Sequence, residues 1–326
     1  MSTARYIRRK SFPRTCRLLP LLAVLALAAC QPRPELHIAH HTWIGYETLP
    51  LARELGWLPD NVVLHRLDNS TASARALASG EVAVAALTLD EALRLRATVA
   101  DLQVVLVMNE SAGADVLLTR PGIESLDDLV GARVAFERSA VSELLLRRAL
   151  ESAGLTLDDV RLVDLPVTAH EAAYRAGEVD AVVSYPPGAA RVRELGAVRL
   201  FDSSQIPGTI LDVLVVDPGQ LDGRRATLAA TVAAHFRALE HLRLSRDDAV
   251  YRIAALQTST AAQVREALAG VRLPAASSVT AYLQPDGALA STAALLLEQD
   301  LLGEAADNVG LDGLVDARYL PTGDWQ

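Results

Sequence analysis

The chain has 326 residues, of which 51% are hydrophobic and 22% charged. This is enough apolar sequence for a large core in one or two domains, and it excludes a disordered protein. The 40 acidic residues outnumber the 31 basic ones, and no compact basic patch is visible, so we expect no nucleic-acid partner.

The first 29 residues are predicted to be a signal peptide. Six basic residues and no acidic one are followed by LLPLLAVLALAA. This uncharged run of about a dozen residues has the length of a signal-peptide core rather than a membrane span. It ends in Leu27-Ala28-Ala29-Cys30, which resembles the lipobox of bacterial lipoproteins. The resemblance implies cleavage before Cys30 and lipidation of that residue. A plain secretory signal with a cysteine near its cleavage site is the alternative.

Cleavage leaves a lipid-anchored body that starts with a short tether, residues 30–35. The chain has two cysteines, Cys16 and Cys30, so the cleaved form has no pair for a disulfide. Loss of the six basic residues leaves 25 basic against 40 acidic residues, a net charge of −15. We predict a periplasmic protein that contacts a bacterial membrane through Cys30. Gln31 after the cysteine favours the outer membrane, and the cytoplasmic membrane is the alternative.

Short β-rich runs alternate with segments of helical spacing from residue 36 onward. Strands are predicted at 36–40, 61–67, 82–87 and 102–108. Because helices separate them, this βαβ order predicts a parallel sheet. Helix N-caps are predicted at Ser70 or Thr71, at Thr88 and at Ser139.

A second series follows, with strands predicted at 116–119, 132–136, 160–165, 179–184 and 197–201. A long apolar strand at 208–217 then precedes an almost wholly helical tail. This order predicts an α/β protein of two lobes. Lobe 1 would comprise 36–114 and 213–326, and lobe 2 would comprise 115–212. The two crossings between them are predicted near 111–116 and 209–213, with a cleft between the lobes.

Trp43, Gly45 and Tyr46 follow the first predicted strand and precede a helix-like segment. Ligands of open α/β sheets bind outside the carboxyl ends of the strands. A glycine lets the backbone approach a ligand, and aromatic rings supply stiff contact area. The sequence therefore predicts a binding loop here.

Three motifs occur in order along residues 36–217. They are W-x-G-Y with LA-x-E-x-G, then ALASGEVAVA, then S-x-G-x-D leading to SLDDLVGARVA. With these motifs the chain resembles the solute-binding proteins of ABC importers in the nitrate, sulfonate, taurine and thiamine-precursor group. The resemblance implies the type II periplasmic binding fold, in which two hinged lobes close on a solute and dock on permease subunits. It implies a monomer without enzyme activity or cofactor.

The predicted solute contacts lie at strand ends, at helix starts and at the crossings. They are Trp43, Gly45, Tyr46, Glu47, Asn69, Ser70, Thr71, Thr88, Ser111, Gly113, Asp115, Glu137, Arg138, Ser139, Tyr185 and Asp212. Each has a structural alternative: the aromatic residues can be core, and the residues at helix starts can be caps. Ser111 and Gly113 can form a hinge, Arg138 can be solvated, and Asp212 can make a hinge hydrogen bond.

The histidines do not predict a metal site. His40 and His41 are neighbours on a strand and point to opposite faces, so both cannot easily join His65 around one ion. No metal-hydrolase or nucleophile-elbow motif occurs either.

The solute is small and polar, and its charge stays open. Arg138 and helix N-termini favour an anion such as a sulfonate, and the acidic candidates Glu47, Asp90, Glu137 and Asp212 favour an amine. Both sets together would suit a zwitterion such as taurine. Two other functions remain: a sensory binding module, and an enzyme like the pyrimidine-synthesising proteins of the same group, whose cysteine cluster this sequence lacks.

Overall fold

The structure is a computed structural model that describes residues 33–321, except residue 100 and residues 139–140. The predicted signal peptide, the lipidation site Cys30 and the predicted contact Ser139 lie outside the described residues. Within them, no helix is long and apolar enough to cross a membrane.

The first part of the chain builds most of one sheet. Its elements are β1 (Leu36–His41), α1 (Thr48–Glu54), β2 (Val62–Leu67), α2 (Ser70–Ala78), β3 (Val84–Thr88), α3 (Leu89–Arg96) and β4 (Gln103–Ser111). The six strands of this sheet lie in the order β11-β4-β10-β3-β1-β2, so two of them come from later in the chain.

The middle of the chain builds a second sheet. Its elements are β5 (Val116–Thr119), β6 (Arg133–Phe136), α4 (Val141–Ser152), β7 (Arg161–Asp164), α5 (Val167–Ala176), β8 (Ala181–Ser184), α6 (Gly188–Glu194) and β9 (Val198–Asp202). The strand order is β7-β6-β8-β5-β9, with no strand from the first sheet. The chain therefore crosses between the sheets twice, after β4 and after β9.

The remainder of the chain returns to the first sheet and continues as helices. Its elements are β10 (Leu211–Val216), α7 (Arg225–Leu244), α8 (Arg246–Gln257), α9 (Ala261–Ala269), β11 (Val271–Arg272), α10 (Ala276–Tyr282) and α11 (Ala288–Glu298). Helix α7 packs on α1, and α11 packs on α3. The two-lobe α/β fold with two crossings and a helical tail is confirmed, and the two-residue β11 was not predicted.

The prediction of a purely parallel sheet was wrong. Strands β1, β2 and β3 are parallel, but β10 lies between β3 and β4 and is antiparallel to both. The chain leaves the first sheet at the end of β4 and re-enters it at the start of β10. Because both ends face the second sheet and the two strands are neighbours, the strands run antiparallel. In the second sheet, β5 is antiparallel to β8 and β9, while β6 is parallel to its neighbours.

Central strands of the first sheet are apolar along their length. Residues 104–108 of β4 and 213–216 of β10 are all buried, as expected of strands covered by helices on both faces. Polar residues appear only where these strands end. Asp212 near the start of β10 is opposite Thr88 of β3 and Asn109 of β4, and all three are buried.

Hydrogen bonds join the two crossings. Ser111 Oγ lies 2.8 Å from Ser203 Oγ, and the Gly113 amide donates to Ser203 Oγ at 2.7 Å. Gly113 has a φ of +120°, which a residue with a side chain rarely adopts. Ser111 and Gly113 thus support the crossings directly.

Candidate ligand-binding site

A small cavity lies between the two sheets at the ends of β1, β3 and β8. Its described lining residues are His41, Trp43, Thr88, Glu91, Asp115, Val141, Tyr185 and Asp212. The volume that the centre of a water molecule can occupy in it is about 10 Å³, room for about one water. A solute of several atoms would therefore enter only when the two sheets move apart.

Asp212 is held on both carboxylate oxygens. The Tyr46 hydroxyl donates to Oδ1 at 2.5 Å, and the Trp43 indole Nε1 donates to Oδ2 at 3.1 Å. Trp43 Nε1 also lies 3.3 Å from Asn109 Oδ1. Because a carboxylate has about four acceptor positions, two donors leave acceptor capacity for a ligand. The predicted binding loop therefore orients an acid on β10.

Aromatic rings from both sheets meet at the cavity. The Tyr185 ring, just after β8, is perpendicular to the Trp43 ring at a centroid distance of 5.6 Å and lies 5.9 Å from His41. His41 is in turn perpendicular to Tyr46 at 5.2 Å. These edge-to-face distances are the ones aromatic pairs prefer. Tyr185 thereby closes the cavity from the side of the second sheet.

Three acids line the cavity, and the described lining contains no lysine or arginine. Burial raises the pKa of Asp115 to about 7. Burial, with the charge of Asp90, raises the pKa of Glu91 to about 8. The pKa of Asp212 rises well above its usual range because of burial, although the hydrogen bond from Tyr46 opposes the rise. The empty cavity thus disfavours full ionisation of its acids.

His41 does not offset this negative charge. Burial lowers the pKa of His41 to about 3, so the imidazole is neutral at pH 7. Its Nδ1 is buried and has no hydrogen-bond partner among the described residues. Buried polar atoms are usually satisfied, so this nitrogen is available to a ligand.

Glu91 links the two sheets at the cavity wall. Its Oε2 accepts a hydrogen bond from the Thr88 amide at 3.0 Å, the reciprocal half of a capping arrangement at the start of α3. Its Oε1 lies 3.4 Å from the amide nitrogen of Val141 on α4, which belongs to the second sheet. Glu91 also lines a wider, open groove next to the cavity.

Arg138 and Glu47 do not line the cavity. The exposed Arg138 guanidinium pairs with Asp164 at 3.2 Å, which corresponds to the solvated alternative. Glu47 is buried, and Arg66 donates to both of its oxygens at 3.2 Å. Burial raises the pKa of Glu47, while Arg66 opposes the rise.

The other predicted contacts lie outside the cavity lining. Asn69 is the N-cap of α2 and accepts from the Ala72 amide at 2.8 Å, so the predicted caps Ser70 and Thr71 are one and two positions late. Ser70 and Thr71 line the open groove. Thr71 Oγ1 donates to Glu137 Oε1 at 2.7 Å, another contact between the sheets.

Gly45 makes room for Asn109 rather than for a ligand. A Cβ atom on Gly45 would lie 2.0 Å from Asn109 Nδ2, and the Asn109 side chain is fully buried. The glycine therefore allows Asn109 to reach the Trp43 indole. The contact between Trp43 and Asn109 joins residues 66 positions apart, and the sequence pattern gave no sign of it.

We expect Gly45→Ala to destabilise the protein by about 1–3 kcal/mol, the usual cost of overpacking a buried site. Urea unfolding of both forms measures the difference. A Gly45→Ala/Asn109→Ala double variant tests the cause. If the Asn109 clash is responsible, the double variant is more stable than the sum of the single effects predicts. Simple additivity would contradict it.

Sequence reasoning missed His41, Glu91 and Val141 as cavity-lining residues. The sequence suggests His41 only as a possible metal ligand, although this residue ends the strand that leads to the binding loop. Glu91 stands three residues after the N-cap Thr88, a position typical of a capping glutamate. No group of three His, Cys, Asp or Glu side chains in the described part of the chain is placed to hold a metal ion.

Solved structures of other proteins have the same fold. The alkanesulfonate-binding protein SsuA from Xanthomonas axonopodis pv. citri bound to MOPS has a TM-score of 0.72 and 20% identity, covering 88% of this chain and 99% of that one. The desulfurization enzyme DszB has a TM-score of 0.64 and 19% identity, covering 88% and 97%. The fold is that of the two-lobe periplasmic binding proteins.

Residues 49–243 match the family described as NMT1/THI5 like, and the chain belongs to that family. It is also similar to the taurine-binding periplasmic protein of Escherichia coli K12, with 27% identity over 205 residues. That match covers 60% of this chain and 63% of the relative, which is less than two thirds of the relative's length.

Proposed function

We propose that the protein is an extracytoplasmic solute-binding protein, which captures a small polar solute in the cavity between its sheets and delivers it to an ABC importer. The observation that carries the proposal is the cavity itself: its lining comes from both sheets and places oriented polar groups beside aromatic rings. Such a site is typical of small-molecule binding. The taurine- and alkanesulfonate-binding names of the relatives agree with it.

Capture would operate by closure of two lobes. We assign residues 36–114 and 213–326 to one lobe and 115–212 to the other. The contacts Thr71–Glu137 and Glu91–Val141 join the sheets only when they are close together. Closure around a solute replaces its water by fixed donors and acceptors.

The predicted cellular setting belongs to this proposal. The protein would be periplasmic, lipid-anchored through Cys30, monomeric, and a partner of permease membrane subunits. Labelling cells with a palmitate analogue tests the anchor: the wild type is expected to incorporate the label, and Cys30→Ala is not. Label on the Cys30→Ala variant would contradict the assignment.

We propose no enzymatic activity, although DszB shares the fold. The names of the relatives as taurine- and alkanesulfonate-binding proteins support this part of the proposal. A sensory role would use the same cavity and differ only in the partner that reads the closed state.

We expect thermal-shift screening to identify a ligand among nitrate, taurine, alkanesulfonates, urea, amines and aminopyrimidines, because a ligand that binds only the folded state raises its melting temperature. Trp43→Ala is expected to remove most of the shift. Trp43→Phe keeps the ring but loses the hydrogen bond to Asp212, so we expect an intermediate shift.

The melting temperature of each variant without ligand serves as the control for folding. An undiminished shift in a folded Trp43→Ala variant would contradict this site. Chemical conversion of the ligand, followed by mass spectrometry, would contradict the binding function.

A further inference from the structure

We propose, on the basis of the function proposed above, that the solute which the cavity accepts is a small organic cation, an ammonium or an amidinium. The names of the relatives do not assign this class. It follows from the charge, the hydrogen-bonding groups and the rings that surround the cavity.

The cavity lining is acidic. Glu91, Asp115 and Asp212 all line the cavity and are at most 5% exposed. Each buried carboxylate strongly prefers a partner of opposite charge, yet the described lining supplies no arginine or lysine. Besides burial, the negative charges of Asp115 and Glu91 make ionisation of Asp212 less favourable. A bound cation would remove this penalty.

Two hydrogen-bond donors beside the cavity are already engaged. The Trp43 indole and the Tyr46 hydroxyl already donate to Asp212. The carboxylate oxygens that remain are acceptors, and so they match the N–H groups of an ammonium or amidinium. A sulfonate or nitrate is itself an acceptor and needs donors. The lining hydroxyls of Thr88 and Tyr185 can donate or accept. Ionised carboxylates only accept, and the lining has three of these acids, so its groups favour a donor-rich solute.

Three arginines, Arg66, Arg94 and Arg138, have partners outside the cavity lining. Arg66 is bound to Glu47, and Arg138 is paired with Asp164. The Arg94 side chain donates to the carbonyls of Leu301 and Leu302. None of these arginines lines the cavity, so an anion placed there would meet carboxylates instead.

Two aromatic side chains lie beside the acids. Trp43 and Tyr185 line the cavity together with the acids. The face of an indole or phenol ring attracts a cation within about 6 Å of its centre. Aromatic rings next to carboxylates are thus a suitable lining for an organic cation, because the rings bury its carbon atoms and the acids neutralise its charge.

Four probes of similar size test the sign of the charge. They are ethanolamine, a cation; isethionate, an anion with the same hydroxyethyl group; taurine, which carries both charges; and ethylene glycol, which carries none. Guanidinium and imidazolium extend the cations, and nitrate extends the anions. Isothermal titration calorimetry on the purified full chain at pH 8 measures each affinity. We expect at least one cation to bind at least 30-fold more tightly than isethionate and nitrate.

The outcomes separate this inference from the function on which it rests. If isethionate, taurine or nitrate binds, with loss of binding in Trp43→Ala, and the cations do not, the cation assignment is wrong and the solute-binding function stands. If no probe of either charge binds, both are contradicted. If a cation binds and Asp115→Asn weakens its binding at least tenfold while thermal unfolding shows that the variant is folded, the inference is supported.

Discussion

The Asp212→Asn variant is expected to bind the cationic solute at least a hundredfold more weakly than the wild type. Removing one partner of a buried charge pair costs about 2–5 kcal/mol, and about 1.4 kcal/mol corresponds to a factor of ten. Asp212 should lie at the upper end, because Tyr46 and Trp43 fix both of its oxygens. Titration calorimetry with the tightest cation from the probe set measures the change.

A buried acid away from the cavity provides the matched control. Asp202 at the end of β9 is buried, accepts from the Ser204 amide at 2.9 Å and pairs with Arg199 at 3.3 Å. It lines a separate groove beside the crossings. Asp202→Asn is therefore expected to leave the affinity within threefold of the wild type. Equal losses in the two variants would contradict a specific role for Asp212.

A second large effect is expected from the stability of the empty protein as pH changes. Burial raises the pKa of Asp115 from 3.8 to about 7. The folded state thus keeps a proton that the unfolded chain loses near pH 4, so this group lowers stability progressively as pH rises from 4 to 7. At 1.36 kcal/mol for each pH unit, the loss is about 4 kcal/mol above pH 7.

Asp115→Asn removes this loss, and we expect its stability relative to the wild type to increase between pH 4 and 7 and then level off. Urea unfolding at pH 4.5, 6 and 8 measures the trend. The titratable groups around Asp115 are Asp90, Glu91, Asp212, Tyr185 and His41. Burial lowers the pKa of His41 to about 3, so it is neutral across this range. Burial raises the pKa of each of the three carboxyl groups, which acts in the same direction as the Asp115 effect.

Asp180→Asn provides a control with the opposite sign. Arg133 donates to both Asp180 oxygens at 2.7 and 3.0 Å, and this hydrogen bonding lowers the pKa of Asp180. A lowered pKa contributes stability that is present at neutral pH and lost in acid. The variant should therefore be less stable than the wild type at pH 8 and approach it at low pH. The same trend in both variants would contradict the assignment of the Asp115 effect to burial.

Much of the fold could be predicted because its signals are local. Alternating apolar runs located the strands, and the three motifs identified the family. The position of β10 between β3 and β4 could not be read this way, because it depends on pairing between segments about 100 residues apart. Nothing in the apolar pattern of β10 distinguishes a central antiparallel strand from a parallel one.

The positions of the candidate site residues could be predicted from the sequence, but the contacts of their side chains could not. The sequence places Trp43, Tyr46, Thr88 and Tyr185 at strand ends and Asp115 and Asp212 at the crossings, and the structure brings them together. The direction of Arg138 was not predictable, because its partner Asp164 lies 26 positions away on the neighbouring strand. Arg138 lines the open groove beside the cavity but not the cavity itself, so its charge does not join the acids of the lining.

The position of Glu91 affects how a bound solute would leave the cavity. This acid lines both the inner cavity and the open groove, and its contact with the Val141 amide exists only while α3 and α4 lie together. Separating the helices would admit bulk water beside the carboxylates. Two opposite charges 4 Å apart attract by about 4 kcal/mol in a protein-like medium but only about 1 kcal/mol in water. Rehydration alone would thus loosen a bound cation, without any group having to push it out.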